Sequence, residues 1–188
     1  MTKICIISGL SGAGKDAVIT ELKKQHPLSW VITTTTRPMR PGESEGNPYH
    51  FVSVAEFERM IAAGELIEHA KVYDHYYGPQ KKDVDAALAQ GEPVVIMKVD
   101  YQGTETIKKL YPEAIVIFIT PPSMDILEQR LRTRGQDLDE VIKRRLAEAG
   151  TEMARVKTWS HVHLVVNEQD QLDKAVVEVY RLIQQEAR

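Results

Sequence analysis

Cysteine occurs once in the 188 residues, as Cys5. No internal disulfide can form, and a lone thiol inside an apolar run fits a reducing compartment and the role of a small buried hydrophobe. No apolar stretch approaches the roughly 20 residues that cross a bilayer, so no helical membrane span is expected. A positive surplus is missing too: 24 Lys and Arg against 27 Asp and Glu give a formal charge of -3, which argues against a general nucleic-acid binder. Internal repeats and low-complexity tracts are absent. The N-terminal "MTKICIISG" is apolar for only a few residues before a glycine loop, and reads as a core strand rather than a signal peptide. The expectation is a cytoplasmic protein with neither a membrane nor a nucleic-acid partner.

What is present is 43% hydrophobic and 27% charged. That is too apolar for disorder, and the length suits one domain burying well over half of its unfolded surface. Basic residues gather in two places, "RPMRPGE" and "QRLRTRGQDLDEVIKRRL". Near-continuous apolar runs at 3–8, 93–99, 114–120 and 163–167 suit strands covered on both faces. Helical spacing occupies 15–25, 80–90, 102–110, 123–133, 139–157 and 170–186. Their alternation predicts an α/β fold with a parallel sheet core and helices on both faces. The stretch 34–78 breaks the alternation: a polar loop, the extended piece "YHFV", a helix opened by the capping box "SVAE" at 53–56, then "ELIEHAKVYDHYYG". It reads as a subdomain inserted into a core of 1–33, 79–133 and 151–188. Polar, glycine-bearing "RGQDLD" between two helices suggests a hinge or lid, taken as about 134–150.

"GLSGAGK", Gly9 to Lys15, matches G-x-x-x-x-G-K between an apolar strand and a helical segment, the context that gives this pattern its meaning. Glycines let several backbone N–H groups converge on one concavity, the helix N-terminus adds positive potential, and a lysine reaches the outer phosphates. Ser11, Gly12, Ala13, Gly14, Lys15 and Asp16 are the expected nucleotide-binding residues. Where a Ser or Thr hydroxyl normally helps hold magnesium, this chain has Asp16 followed by Ala17. A carboxylate is a hard oxygen ligand for magnesium, but it also repels phosphate oxygens. At the end of the strand "IMKVD" stands Lys98, where many phosphate-loop enzymes place an acid. Asp16 and Lys98 read equally well as a compensating ion pair or as two independent solvated charges.

"TTTTRPMRPGESEGNPYHF" sets Arg37 and Arg40 three residues apart with Tyr49 downstream, and "IEHAKVYDHYYG" adds Glu68 and Tyr77. Arginine forks bind phosphate oxygens through two hydrogen bonds and tyrosine hydroxyls complete the shell, so the set could clamp a monophosphate. With these residues the whole chain resembles the guanylate kinases, through "SGLSGAGK", "TTTTRPMRPGE", "YHFVS", "GELIEHA", "YYG", "VDYQG", "FITPPS", "RLRTRG", "KRRL" and "VVN" in order. The resemblance implies transfer of the γ-phosphoryl group of ATP to GMP with Mg2+, by a monomer or homodimer. It implies that Arg37, Arg40, Tyr49 and Tyr77 hold the GMP phosphate, that Glu68 accepts from the guanine ring N–H and amino group, and that Thr33 and Asp100 assist. It places Lys15, Arg130, Arg134 and Arg145 on the transferring phosphoryl group and Asn167 near the ATP base. The 34–78 insertion becomes the GMP-binding subdomain.

Three departures accompany it. Pro79 follows "YYG" where the family usually has Ser or Thr, His69 replaces the commoner aromatic after Glu68, and Asp16, Ala17 and Lys98 alter the metal side. Two other functions fit parts of the pattern. One is a ribose bisphosphate phosphokinase, whose loops can also read "GKD" but normally continue with Ser. The other is a non-catalytic guanylate-kinase-like module, which typically loses the glycine loop retained here.

Overall fold

The computed structural model describes residues 2–72, 74–133, 135 and 137–187. In chain order they form β1 (Lys3–Gly9), α1 (Lys15–Gln25), β2 (Ser29–Trp30), β3 (Thr33–Thr35), β4 (Ser44–Glu45), β5 (Pro48–Phe51), α2 (Val54–Ala62), β6 (Ala70–Val72), β7 (His75–Pro79), α3 (Lys81–Ala89), β8 (Val94–Lys98), α4 (Tyr101–Leu110), β9 (Ile115–Thr120), α5 (Met124–Thr133), α6 (Asp139–Val156), β10 (Val162–Val166) and α7 (Leu172–Glu186). The long apolar strands and the helices fall within about two residues of their expected ends. Strands β2, β3, β4, β6 and β7 are additional; each runs two to five residues, too short for a hydrophobic period to register clearly. The class is α/β with parallel strand pairing, as expected.

The chain divides into two compact units, Met1–Ile6 with Leu28–Ala114, and Ile7–Pro27 with Ile115–Arg188. In the first, β2 runs parallel to β8 with Ser29 opposite Val95 and Trp30 opposite Ile96, and Val94 to Met97 are buried. A second sheet in the order β4-β5-β3-β7-β6 lies within the same unit. Its strands span 33–79; the sequence expectation placed an inserted subdomain at 34–78. Its centre, β3, pairs parallel with β5 and antiparallel with β7, putting Thr33 opposite Tyr49 and Pro79, and Thr35 opposite Phe51 and Tyr77. Side chains alternate across a sheet, so Thr33, Thr35, Tyr49, Phe51 and Tyr77 share one face.

Residues of the other face meet α2. Ser53 caps that helix, its hydroxyl accepting from the Glu56 N–H at 3.1 Å, while the Glu56 carboxylate accepts from Arg59. Phe57, Met60 and Leu66 make a small core with Val52, Ile61 and Tyr76, and Phe57 stacks on Tyr76 with ring centroids 5.3 Å apart. Cys5 is fully buried, and burial pushes its thiol pKa up, which keeps it a neutral hydrophobe.

In the second unit β9 is buried from end to end and pairs parallel with β10, Val162 opposite Val116 through Val166 opposite Thr120. Helix α7 turns Ala175, Val176, Val179, Leu182 and Ile183 inward, the i, i+4, i+8 stripe of an amphipathic helix. It packs on β9, β10 and α1, and His26 stacks on Tyr180 at 3.5 Å. Helix α6 runs unbroken through residue 150, where the lid was expected to end.

Candidate active site

The glycine loop joins β1 to α1 in the second unit, as its spacing implied. Gly14 is the N-cap of α1 with φ 87°, a left-handed conformation that glycine adopts without steric cost. A Cβ there would also stand 2.3 Å from the Asn167 amide nitrogen. Gly12 is likewise left-handed, and a Cβ on it would meet Leu127 at 2.9 Å. The Ala13 carbonyl is tied down from a distance in sequence: Asn167 Nδ2 donates to it at 2.9 Å and Arg130 Nη1 at 3.3 Å. Lys15 Nζ donates to the Gly9 carbonyl at 3.3 Å, lying back over its own loop. Asp16 is exposed in the first turn of α1, where the positive end of the helix dipole favours a carboxylate.

Arg130 also donates from Nη2 to the Asn167 carbonyl at 2.8 Å and reaches Gln169. It therefore braces the phosphate loop against the segment after β10. Asn167, buried and bonded to Ala13, is part of the same brace. Arg145 on α6 lies 3.1 Å from Asp137 Oδ2, with both side chains mostly buried. Its neighbours Lys143 and Arg144 are exposed. Arg134 lies outside the described residues.

The expected acceptor residues all fall in the first unit. Arg37, 9% exposed, gives both Nη2 hydrogen bonds to Glu43, at 2.7 and 2.9 Å, and bonds the Pro38 carbonyl from Nη1 at 2.6 Å. Burial works against its charge, but the Glu43 carboxylate outweighs that and raises its pKa. Glu43 also accepts from the Arg40 backbone N–H at 2.7 Å, while Arg40 itself is exposed. The Arg37 guanidinium carbon sits 5.5 Å from the centroid of Tyr49, which meets Tyr77 edge-on at 5.8 Å. Arg37, Tyr49 and Tyr77 thus converge on the face that the strand register creates. Thr33, buried, donates to the Lys98 carbonyl at 3.0 Å.

Glu68 is 7% exposed, and its pKa is pushed up to about 8, first by burial and then by the nearby Asp100 charge. Asp100 caps α4, accepting from the Gly103 N–H at 2.8 Å. A Cβ on Gly103 would fall 2.7–2.9 Å from the Glu68 carboxyl atoms, so the missing side chain makes room for the acid. His69 is exposed, and Pro79 is buried opposite Thr33. Sequence reasoning missed Glu43 and Gly103. The only local signal for Glu43 was the "RPGE" turn carrying it; for Gly103 there was none, because its role depends on a residue 35 positions away.

Magnesium fits the donor side. Among the described residues no group of three or more His, Cys, Asp or Glu is placed to hold a metal by itself. Mg2+ commonly takes one or two carboxylates and completes its shell with water and substrate phosphates, a donor set that the exposed Asp16 beside Lys15 can enter.

A sequence model of the family described as guanylate kinase matches residues 1–186. A guanylate kinase of Gloeobacter violaceus is 44% identical over 187 residues, covering 99% of this chain and 89% of that protein. One of Thermosynechococcus vestitus is 44% identical over 176 residues, covering 93% and 90%. The crystal structure of guanylate kinase from Anaplasma phagocytophilum superposes with a TM-score of 0.76 at 27% identity, covering 99% of this chain and 86% of that one.

Proposed function

The chain belongs to the guanylate kinase family, and from that premise we propose that it transfers the γ-phosphoryl group of ATP to GMP, giving ADP and GDP. The observation that carries the choice of acceptor is Glu68, a buried acid beside Asp100 and Gly103. Ionised, it accepts from the guanine ring N–H and the exocyclic amino group. Adenine lacks that adjacent donor pair and would leave a buried carboxylate unpaired. Arg37, Arg40, Tyr49 and Tyr77 bind the GMP phosphate, with Thr33 and Asp100 assisting at the base.

On the donor side, loop amides from Ser11 to Lys15 cradle the ATP phosphates, and the Lys15 ammonium swings from the Gly9 carbonyl onto the outer ones. Arg145, Arg134 and the lid at about 134–150 neutralise charge on the transferring group, and Arg130 with Asn167 keeps the loop in shape. Phosphoryl transfer needs positioning and charge stabilisation rather than a strong base, because the acceptor is already an anion. Asp16 stands where a hydroxyl usually helps hold magnesium and would be the carboxylate available to a bound ion, which would supply neutralisation of phosphate charge.

A coupled assay of ATP with GMP, dGMP, AMP and ribose bisphosphate at varied magnesium tests this. GMP is the expected acceptor by at least about tenfold in kcat/KM over AMP, since one lost charged hydrogen bond amounts to that or more. Turnover of ribose bisphosphate alone, or of nothing, overturns the proposal.

A further inference from the structure

Lys98 ends β8, a strand buried up to Met97. Its ammonium donates a hydrogen bond to the Tyr49 hydroxyl and stands 4.5 Å from the centroid of that ring. Its carbonyl accepts from Thr33 Oγ1 at 3.0 Å, and Thr33 is the register partner of Tyr49. Lys98 is therefore fixed at both ends, main chain to β3 and side chain to β5. The Arg37 guanidinium borders the same tyrosine at 5.5 Å. The Lys98 ammonium and the Glu43-paired guanidinium of Arg37 thus bracket one phenol that is only 8% exposed.

A phenol oxygen has one proton to donate and lone pairs to accept with. With an ammonium donating to the oxygen, the Tyr49 O–H is directed away from that ammonium. Glu43 balances Arg37, and a lysine ammonium held beside a buried hydroxyl favours an anionic ligand there. The anion that the neighbouring residues suit is a phosphate, because Lys98 supplies a point charge and the Arg37 guanidinium has N–H groups beyond those given to Glu43 and Pro38.

We propose that Lys98 is a further binding residue for the acceptor's phosphate, its ammonium taking a phosphate oxygen beside the hydroxyl of Tyr49. This rests on the reading of the first unit's pocket as the GMP site. The competing role, a prop that merely positions Tyr49, is separated from it by ligands with and without the phosphate.

Binding of GMP and of guanosine to the wild type, Lys98→Met, Lys98→Arg and Glu68→Gln is measured by calorimetry, with guanosine followed by competition where it is weak. Lys98→Met is expected to weaken GMP about tenfold or more, the value of one charged hydrogen bond, and to leave guanosine within about twofold. Lys98→Arg should recover most of the loss, and GMP binding by Lys98→Met should fall less steeply with ionic strength than in the wild type. Equal weakening of both ligands, or unchanged GMP binding, overturns the proposal. Glu68→Gln should weaken GMP and guanosine alike. If it weakens neither, the pocket reading itself fails and the role of Lys98 falls with it.

Discussion

The loop after β1 and the pocket on the β3–β5–β7 face both read as phosphate sites, but they are built from different materials. The loop is read as offering backbone N–H groups, that of Ala13 donating to the Leu10 carbonyl at 3.1 Å, and its distant partners, Asn167 and Arg130, bind its Ala13 carbonyl from outside. The proposed acceptor site draws on side chains from Thr33 to Asp100, of which Arg37 and Glu68 are buried ionisable groups. A backbone nest depends on conformation and tolerates many side chains between its glycines. A side-chain pocket depends on identity, register and the cost of holding an ionisable group away from water. The loop should therefore respond to substitution mainly through turnover of ATP, and the pocket through affinity for GMP and through pH.

Lys15→Met tests the first half of that contrast most strongly. Removing a donor aimed at developing charge typically lowers kcat by about 10²–10³-fold, and the Kd for GMP should stay within about twofold. A comparable loss of GMP affinity would erase the distinction between the two regions.

Glu68→Gln is the matching change in the pocket. We expect KM for GMP to rise by roughly 10²-fold, with KM for ATP unmoved. The free protein carries a second signature. The Glu68 carboxyl ionises near the ordinary 4.5 in the unfolded chain and near about 8 in the folded one. Between those values the folded chain holds more protons, so the stability contribution present at low pH is lost as pH rises through the window. The Tm of Glu68→Gln relative to wild type should accordingly climb from pH 4 to about 8 and level off beyond it, each kcal/mol appearing as about 2–4 °C. Because guanine needs the ionised acid, wild-type KM for GMP should fall as pH approaches 8, and Glu68→Gln should lack that slope.

Gly103→Ala sharpens the comparison further, since it leaves every expected ligand in place. A methyl group 2.7–2.9 Å from the Glu68 carboxyl atoms displaces them. An increase of about tenfold in KM for GMP, with a loss of discrimination against AMP, is the expected result, equivalent to about 1.4 kcal/mol. Unchanged discrimination would show that Glu68 can recognise guanine from a shifted position.

Asn167→Ala should have the smallest effect. It removes one hydrogen bond to Ala13, and a net loss of about 1 kcal/mol corresponds to roughly fivefold in KM for ATP. Steady-state kinetics with GMP held saturating would reveal it; an equal change in KM for GMP would count against an independent loop.

Much of the fold was legible because its long elements carry strong periods. The buried run of β9 and the inward stripe of α7 are visible as letters. So was the capping of α2 by Ser53, a contact across three residues. The three-residue β3 was not, yet it is the strand that brings Tyr49 and Tyr77 to one face. Nor was the contact between Arg130, expected on the transferring phosphoryl group, and the Ala13 carbonyl, 117 residues apart in sequence.

By itself the order of residues determined what depends on short-range chemistry: an α/β chain, a phosphate-binding turn between strand and helix, and the residue types able to bind a purine monophosphate. Only tertiary structure decided which of those groups meet, that Glu43 takes up Arg37, that Gly103 leaves space for Glu68, and that Lys98 reaches Tyr49. The physical reason is range. Propensity, capping and periodicity act over a few residues, whereas burial, register and charge pairing are settled by neighbours in space that no local pattern records.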